Sequence, residues 1–244
     1  MKSLLASPSL LRTSLLAAAL SGVLASTASA QLIVNGGFEA QPFNTTVTAT
    51  TTPNAGGITG WTVATTSSTT EFQIVNGTSG GGFGFPAPVA GSFYLSINGG
   101  ESSVTGRLYQ DFTTTIGATY SVAFSAGLAG ATGSQQIGLQ ADVYNVVSGS
   151  TSGGSLGTTS ATTTSGTAGF FSPSAFSFTA TGVTSRLMFA DISAGTNGVD
   201  VVLDNVSVSA IPEPSTYAAI AGAAMLGLAV WQRRKPTAAP ATVA

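Results

Sequence analysis

The chain has 244 residues, of which only seven are basic and nine acidic. It contains neither histidine nor cysteine, which excludes disulfides, histidine-bearing catalytic triads and the usual zinc, haem and iron–sulfur sites. Seven basic residues are also too few for a nucleic-acid-binding stripe, so no nucleic-acid partner is expected.

The first thirty residues have the pattern of a secretory signal peptide. Lys2 and Arg12 form a positive region, and an apolar run follows from position 15 to position 24. Ala28-Ser29-Ala30 is a small-residue cleavage site before Gln31. An uncleaved anchor helix is the alternative, but the short apolar run and the cleavage site favour removal of residues 1–30 by signal peptidase.

Residues 31–209 form the predicted mature domain, and their net charge differs from that of the whole chain. They hold eight acidic residues and only two basic ones, Arg107 and Arg186, which gives a net charge of −6. The remaining basic residues lie near the two ends of the chain. An acidic body favours solubility and disfavours binding to nucleic acid or anionic lipid.

The body consists of short runs in which apolar and polar residues alternate. Such period-two runs, rich in aromatic and β-branched residues, predict strands with one buried face. The clearest are 93–97, 107–112, 120–124, 138–144, 175–179, 186–190 and 201–208. No helical periodicity separates them. We therefore predict an all-β domain, a single β-sandwich jelly roll.

Two stretches of the body have too little apolar area for buried strands. Residues 45–60 are mostly Thr, Ala, Pro, Asn and Gly, and residues 148–169 are Ser, Thr and Gly with few apolar residues. Both are predicted as loops or as acceptors of glycans. Because threonine is a good strand former, edge strands within them remain an alternative.

Five sequence blocks of the body resemble those of galactose-binding-like jelly rolls. In chain order they are LIVNGGFE at 32–39, ITGW at 58–61, GRLYQDF at 106–112, GATYSVAF at 117–124 and LDNVSV at 203–208. Their order is similar to that in family 4/9 carbohydrate-binding modules and in DUF642-like surface proteins. The resemblance implies a β-sandwich that binds sugar.

The same resemblance implies a structural calcium ion as the one cofactor. In the resembled modules, a glutamate of the opening strand and an aspartate of the closing strand often help to hold calcium. Those positions correspond to Glu39 and Asp204, and calcium prefers such oxygen ligands. The alternative is an exposed Glu39 beside Phe38 and an Asp204 that caps a turn or pairs with arginine.

Four aromatic residues are candidates for stacking on a sugar ring. They are Trp61, Tyr94 and Tyr109, which we predict as ligand-binding residues, and Tyr144. A sugar site combines an aromatic platform with a few amide or carboxylate groups. Trp61 in its Gly-Trp pair is more often a core residue in this fold, and the register of each strand decides which tyrosines face outward.

Carboxylates are the only acid–base groups that this composition offers to an enzyme. A glycosidase needs two of them roughly 5–9.5 Å apart. Asp200 and Asp204 lie four positions apart, about 13 Å along an extended strand. Separate surface acids therefore fit better than a catalytic pair, and we expect no enzymatic activity.

The C-terminus, residues 210–236, contains a second targeting pattern. Pro212, Glu213 and Pro214 precede an apolar run over 217–231, which we predict as a short transmembrane helix. Arg233, Arg234 and Lys235 follow as a cytoplasmic stop, and residues 237–244 form a short tail. Fifteen apolar residues are few for a spanning helix, and a buried core helix is the alternative.

This tripartite pattern resembles the PEP-CTERM sorting signal of Gram-negative bacteria. The resemblance implies recognition by an exosortase while the precursor is transiently held at the inner membrane through residues 217–231. Cleavage near Pro212 would then release the body to the cell surface or the extracellular matrix. The tail after position 236 departs from the pattern, because such signals usually stop soon after the basic cluster.

These observations together predict an exported bacterial cell-surface or matrix protein. Its expected role is that of a non-catalytic carbohydrate-binding or adhesive module associated with extracellular polysaccharide. A structural, glycosylated matrix protein without a specific ligand is the first alternative. A carboxylate-based glycoside hydrolase is the second and the weaker one.

Overall fold

A computed structural model describes residues 31–40, 47–50, 58–64, 71–77, 84–97, 106–130, 136–164, 168–171, 175–194 and 198–234. The predicted signal peptide, Lys235 and the predicted tail lie outside these residues. Within them are twelve strands and one helix. The strands are β1 Val47–Thr50, β2 Thr62–Val63, β3 Glu71–Asn76, β4 Phe93–Ile97, β5 Arg107–Thr113, β6 Thr119–Gly130, β7 Gln136–Val147, β8 Ser150–Thr164, β9 Gly169–Phe171, β10 Phe176–Thr179, β11 Thr184–Asp191 and β12 Val199–Ala210.

The strands form two antiparallel sheets. The larger sheet has the order β1-β3-β4-β12-β6-β10, and the short β9 also pairs with β6. The smaller, five-stranded sheet has the order β2-β5-β11-β7-β8. Every pairing is antiparallel. This architecture confirms the prediction of an all-β sandwich.

The core lies between the two sheets and follows from the alternation in the sequence. Along β11, the side chains at odd positions are buried and those at even positions are half-exposed. Phe189 of β11 meets Phe124 of β6 from the other sheet, with ring centroids 4.9 Å apart. Burying such a side chain stabilises the fold by about 1.5–3 kcal/mol. The other faces of the two sheets point away from this core.

The prediction of a loop over residues 148–169 is wrong for most of that stretch. β8 spans fifteen of these residues and pairs with β7. The two strands are joined at Ser148 and Gly149, whose φ angles of 52° and 79° are those of a tight hairpin turn. Threonine side chains suit the pleated surface of an edge strand even where little apolar area is buried.

The other low-apolar stretch, residues 45–60, contains a short strand. β1 pairs with β3 at the edge of the larger sheet. Residues 45, 46 and 51–57 lie outside the described residues. The prediction of a loop is therefore wrong for Val47–Thr50.

The chain divides into two compact units, and helix α1, Pro214–Arg233, belongs to the unit that does not contain the sandwich. It begins at Pro214, where a proline is tolerated because the first helical N–H has no partner. In the described part of the chain, no helix combines the length and the apolar character needed to cross a membrane. The transmembrane helix predicted over 217–231 is therefore not shown and stays a prediction.

Candidate functional site

The outer face of the five-stranded sheet carries a cluster of aromatic and polar side chains. On the central strands, the side chains that do not enter the core point to this face. We call this surface the tyrosine face. It consists of Arg107, Tyr109 and Asp111 of β5, Gln140, Asp142 and Tyr144 of β7, and Arg186, Met188 and Ala190 of β11.

The strand register brings these residues into rows across the sheet. Met188 lies between Tyr109 and Asp142, because β11 pairs with β5 on one side and with β7 on the other. In the next row, Arg186 lies between Asp111 and Tyr144. Residues opposite each other on neighbouring strands have Cβ atoms about 5 Å apart. The two tyrosines therefore stand in adjacent rows, with β11 between them.

An ion pair holds one side of the tyrosine face rigid. Arg186 donates from Nε to Asp111 Oδ1 at 2.6 Å and from Nη2 to Asp111 Oδ2 at 2.9 Å. Its Nη2 also donates to the carbonyl oxygen of Gly149 in the β7–β8 turn. The guanidinium carbon lies 3.8 Å from the centroid of the Tyr109 ring. The hydrogen bond to Asp111 raises the pKa of Arg186, and the cation covers one face of Tyr109.

The other side of the tyrosine face has a polar pair beside an open aromatic ring. Gln140 Nε2 donates to Asp142 Oδ2 at 2.7 Å, and Asp142 is only 5% exposed. The pKa of the half-exposed Tyr144 is raised, first by burial and then by the charge of Asp142. The charge of Arg107 lowers this pKa by a smaller amount. Within the described residues, no ring or guanidinium stacks on Tyr144. The half-buried ring of Tyr144 therefore keeps a solvent-facing part.

This arrangement has the components of a sugar-binding surface. A planar ring at a solvent-exposed sheet face provides a platform for the apolar face of a pyranose. The Gln140 amide provides an acceptor oxygen and N–H donors for hydroxyl groups, and the Asp142 carboxylate provides acceptor oxygens. Because Arg186 neutralises Asp111, the face presents no second uncompensated carboxylate next to Asp142.

The structure places the predicted ligand residue Trp61 in the core. Its ring is 6% exposed and packs on Phe38, with centroids 5.8 Å apart, and on Phe189. Its Nε1 donates to the carbonyl oxygen of Asn35 at 3.1 Å. Trp61 cannot stack on a sugar from this position. The prediction is corrected because the residue precedes β2 and turns inward between the sheets.

The predicted ligand residue Tyr94 is also buried, on the outer face of the larger sheet. This face is covered, and the cluster around Tyr94 includes Val75, Val202, Phe85 and Phe170. The Tyr94 and Phe170 rings meet edge to face with centroids 5.3 Å apart. The Tyr94 hydroxyl is buried and has no hydrogen-bond partner among the residues that the structure describes. Of the three predicted aromatic residues, only Tyr109 thus lies on an exposed sheet face.

The two carboxylates predicted to hold calcium both bind the loop that precedes β4. Glu39 Oε1 accepts hydrogen bonds from the backbone N–H groups of Ser92 and Phe93, both at 2.8 Å. Asp204 Oδ2 accepts from Val89 at 2.8 Å and from Ala90 at 3.3 Å. The two predicted residues are thus brought together, and each anchors backbone amides of residues 89–93.

Asp204 is fully buried and close to a like charge. Burial raises its pKa, three backbone amides lower it, and the neighbouring Glu39 raises it again. The third amide is that of Asn205, which donates to Asp204 Oδ1 at 2.6 Å. In the part of the chain that the structure describes, no three His, Cys, Asp or Glu side chains group together as a metal site. A calcium site would therefore need backbone carbonyl oxygens beside Glu39 and Asp204.

Gly36 of the opening block is required by close packing against β12. A Cβ atom on Gly36 would overlap the carbonyl oxygen of Val206, which lies two residues after Asp204. The Val206 N–H donates to the carbonyl oxygen of Gly36 at 2.9 Å. This contact holds the segment that carries Glu39 next to the strand that carries Asp204.

Sequence reasoning missed most of the tyrosine face. It singled out Tyr109 and Tyr144 but not Gln140, Asp142, Asp111 or Arg186. The alternating pattern of 107–112 and 138–144 already placed odd residues of the first run and even residues of the second on one face each. Which strands are neighbours was the missing information, and the pairing of both with β11 supplies it.

Comparisons with known proteins identify relatives by sequence and by fold. The profile of the family described as "Protein of unknown function (DUF642)" matches residues 31–209. No curated protein matches the chain. A cyclase from Fischerella sp. TAU in complex with 4-(1H-indol-3-yl)butan-2-one is 15% identical, covers 75% of this chain and 98% of its own, and has a TM-score of 0.54. An apo form cyclase from Fischerella sp. is 17% identical, with 77% and 98% coverage and a TM-score of 0.54.

A carbohydrate-binding module is among the similar solved structures. TmCBM61 in complex with β-1,4-galactotriose is 14% identical, covers 75% of this chain and 100% of its own, and has a TM-score of 0.46. The likeness to the cyclases, at these low identities, shows the fold alone. The family match confirms the resemblance of the body to DUF642 proteins.

Proposed function

The chain belongs to the DUF642 family, and we propose that its jelly-roll domain is a non-catalytic carbohydrate-binding module that uses the tyrosine face. The observation that carries this proposal is the open ring of Tyr144 beside the hydrogen-bonded pair Gln140–Asp142. One sugar ring would stack on Tyr144, and its hydroxyl groups would bond to the amide and the carboxylate. Tyr109, held by Arg186, would form the second wall.

A glycan array followed by titration calorimetry on the purified protein tests this proposal. Tyr144→Ala removes the platform, and we expect it to weaken binding of an array hit about tenfold, which corresponds to about 1.4 kcal/mol. Ser177→Ala is the matched control, because Ser177 is exposed on β10 of the other sheet. Circular dichroism checks that both variants are folded.

Two outcomes would overturn the proposal. One is a folded protein that binds no glycan on the array, and this result would favour a structural matrix role without a specific ligand. The other is equal affinity in the wild type and in Tyr144→Ala. Turnover of a bound glycan, abolished by Asp142→Asn, would instead favour a hydrolase.

Export and sorting by an exosortase form the cellular part of the proposal. The support is the motif Pro212, Glu213 and Pro214, with helix α1 beginning at Pro214 and ending near Arg233 and Arg234. We expect protein from the surface of the native host to begin at Gln31 and to end near Pro212, which mass spectrometry of the intact protein measures. Glu213→Ala should block this processing, and Thr237→Ala in the tail should not. A surface-located chain that still contains Trp231 would contradict the assignment.

A structural calcium ion at Glu39 and Asp204 is the proposed cofactor. The two carboxylates fit a divalent cation in charge and donor type, because each is a hard oxygen ligand and the two like charges stand unneutralised beside each other. Bound calcium would neutralise them and fix the 89–93 loop. We expect calcium at a hundredfold excess over its Kd to stabilise the chelator-treated protein by about 2.7 kcal/mol in thermal unfolding. Asp142→Asn should keep this response and Glu39→Gln should lose it, whereas no response in the wild type would refute the site.

A further inference from the structure

The four edge strands of the two sheets differ greatly in length. The five-stranded sheet ends in the two-residue β2 on one side and in the fifteen-residue β8 on the other. The larger sheet ends in β1 and β10, with four residues each. Short edge strands are a common protection against pairing with other chains. β8 lacks this protection.

β8 also lacks the other devices that block an edge. Its sequence, STSGGSLGTTSATTT, contains no charged residue and no proline. Lysine and proline are the residues that most often prevent edge-to-edge pairing. An insertion does interrupt its first half, since Val143 pairs with Gly157 and Asn145 with Ser152. From Gly157 onward the pairing with β7 is regular.

The free part of this edge runs from Thr158 to Thr162. Gly157 itself is packed against Phe176 and Phe178 of β10. Beyond it, Thr158, Ser160 and Thr162 are exposed on the side of the tyrosine face. β7 occupies one side of β8, and among the described strands none pairs with its other side. We call residues 158–162 the β8 edge.

We propose that the β8 edge pairs with the β8 edge of a second copy of this chain, which joins the two five-stranded sheets into one. An antiparallel strand is its own partner around a two-fold axis, as in isologous dimers. With the axis at Ser160, Thr158 faces Thr162 of the other copy and Ser160 faces its counterpart. Such Thr–Thr and Ser–Ser pairs stabilise antiparallel strands through their hydroxyl groups.

The charge distribution favours a second copy at this edge over other surfaces. Because the body carries a net charge of −6, two bodies repel each other on approach. The β8 edge is uncharged, and the nearest carboxylate on its sheet face, Asp142 opposite Thr158, is buried and bonded to Gln140. Two copies therefore approach most easily here. The interface is small, so the association is weak and depends on protein concentration.

The dimer would also strengthen the binding of a sugar polymer, and this consequence rests on the proposed function. Both tyrosine faces would lie on the same side of one continuous ten-stranded sheet. Two sites on one rigid body bind a polymer of repeating sugars more tightly than one, because the second contact is intramolecular. Dimerisation itself is independent of sugar binding and is tested without a ligand.

Sedimentation equilibrium of the purified protein over a range of concentrations is the first test. We expect a monomer–dimer equilibrium that Ser160→Lys weakens about fivefold, because two ammonium groups would face each other across the axis. Thr115→Lys is the matched control. It adds the same charge at an exposed residue of the β5–β6 turn and should leave the equilibrium unchanged. A monomer at all concentrations up to about 1 mM, or an association that both variants leave unchanged, would overturn the proposal.

Cross-linking through a single cysteine is the second test and does not depend on a lysine variant that folds. The chain has no cysteine of its own. Under mild oxidation, Ser160→Cys should form a disulfide-linked dimer faster than Thr115→Cys, since residues opposite each other on paired strands are close enough for a disulfide. Thr158→Cys and Thr162→Cys report a two-fold axis that is shifted by two residues along the strand, which changes the pairing register by four residues. Equal rates for all four variants would contradict pairing at this edge.

Discussion

The outer faces of the two sheets have similar residue types and opposite surroundings. The tyrosine face of the five-stranded sheet carries Tyr144 and Asp142 and is open to solvent around Tyr144. The outer face of the larger sheet carries Tyr94 and Asp204, and both are fully buried. Alternation in the sequence looks alike in the two cases. The difference is what covers each sheet.

The cover of the larger sheet comes from segments outside its central strands. The loop before β4 contributes Phe85, and β9 contributes Phe170. The same loop is anchored at its other end by Glu39 and Asp204. A carboxylate on this face therefore acts as an acceptor for backbone amides, whereas Asp142 of the tyrosine face accepts a hydrogen bond from the side chain of Gln140. The groups that the fold places beside an acidic residue decide its role.

The largest expected effect distinguishes the two tyrosines by stability. Tyr94→Ala should lower the free energy of unfolding by about 3–5 kcal/mol, because it empties a fully buried position. Tyr144→Ala should lower it by less than about 1 kcal/mol, because its ring is half-exposed. Urea unfolding of both variants measures the difference. Equal losses would show that the two faces are covered alike.

Asp204→Asn tests whether the buried carboxylate anchors the loop. We expect a loss of about 2 kcal/mol, because the amide group replaces one acceptor oxygen with a donor that faces backbone N–H groups. Asp111→Asn on the open face is the matched control and should lose less than about 1 kcal/mol. An equal loss in the two variants would refute the anchoring role.

The same variant has a signature in the pH dependence of stability. Because the native pKa of Asp204 is raised, ionisation disfavours the folded state. Without calcium, the contribution of Asp204 is therefore greatest below the ordinary aspartate pKa of about 4 and is lost as the pH rises through its native pKa. Asp204→Asn should flatten the stability curve in this window. A slope unchanged by the substitution would contradict the shift.

Tyr94→Phe tests the unpartnered hydroxyl and should stabilise the protein by about 1 kcal/mol. The substitution removes a buried polar atom to which no described residue is hydrogen-bonded, and it leaves the ring in place. Tyr120→Phe is the matched control and should destabilise the protein, because the Tyr120 hydroxyl accepts a hydrogen bond from the Thr115 N–H at 2.8 Å. Thermal unfolding measures both. A destabilised Tyr94→Phe would mean that the hydroxyl has a partner.

The smallest effect concerns the ion pair of the open face. A double-mutant cycle with Asp111→Asn and Arg186→Gln should give a coupling of about 0.2–1 kcal/mol, because the Asp111 side chain is 35% exposed. High salt should reduce the coupling. A coupling of several kcal/mol that is insensitive to salt would mean that the tyrosine face is buried like the other one.

The sequence predicted the strands well wherever one face of the strand enters the core. The runs 107–112 and 186–190 lie within β5 and β11, and their odd or even positions face the core as alternation requires. The prediction failed for β8, because a strand at an edge buries little and shows only a Thr/Ser/Gly composition. It also failed for Trp61 and Tyr94, since alternation indicates the side of a sheet and not what covers that side.

The sequence by itself determined the class of fold, through period-two burial, and the absence of histidine and cysteine chemistry, through composition. The resemblance to carbohydrate-binding modules also implied that Glu39 and Asp204 lie together. Only the tertiary structure decided that β11 brings Tyr109 and Tyr144 to one face and that a loop covers Tyr94. Strand order and loop packing join residues far apart in the chain, and a local pattern contains no record of such contacts.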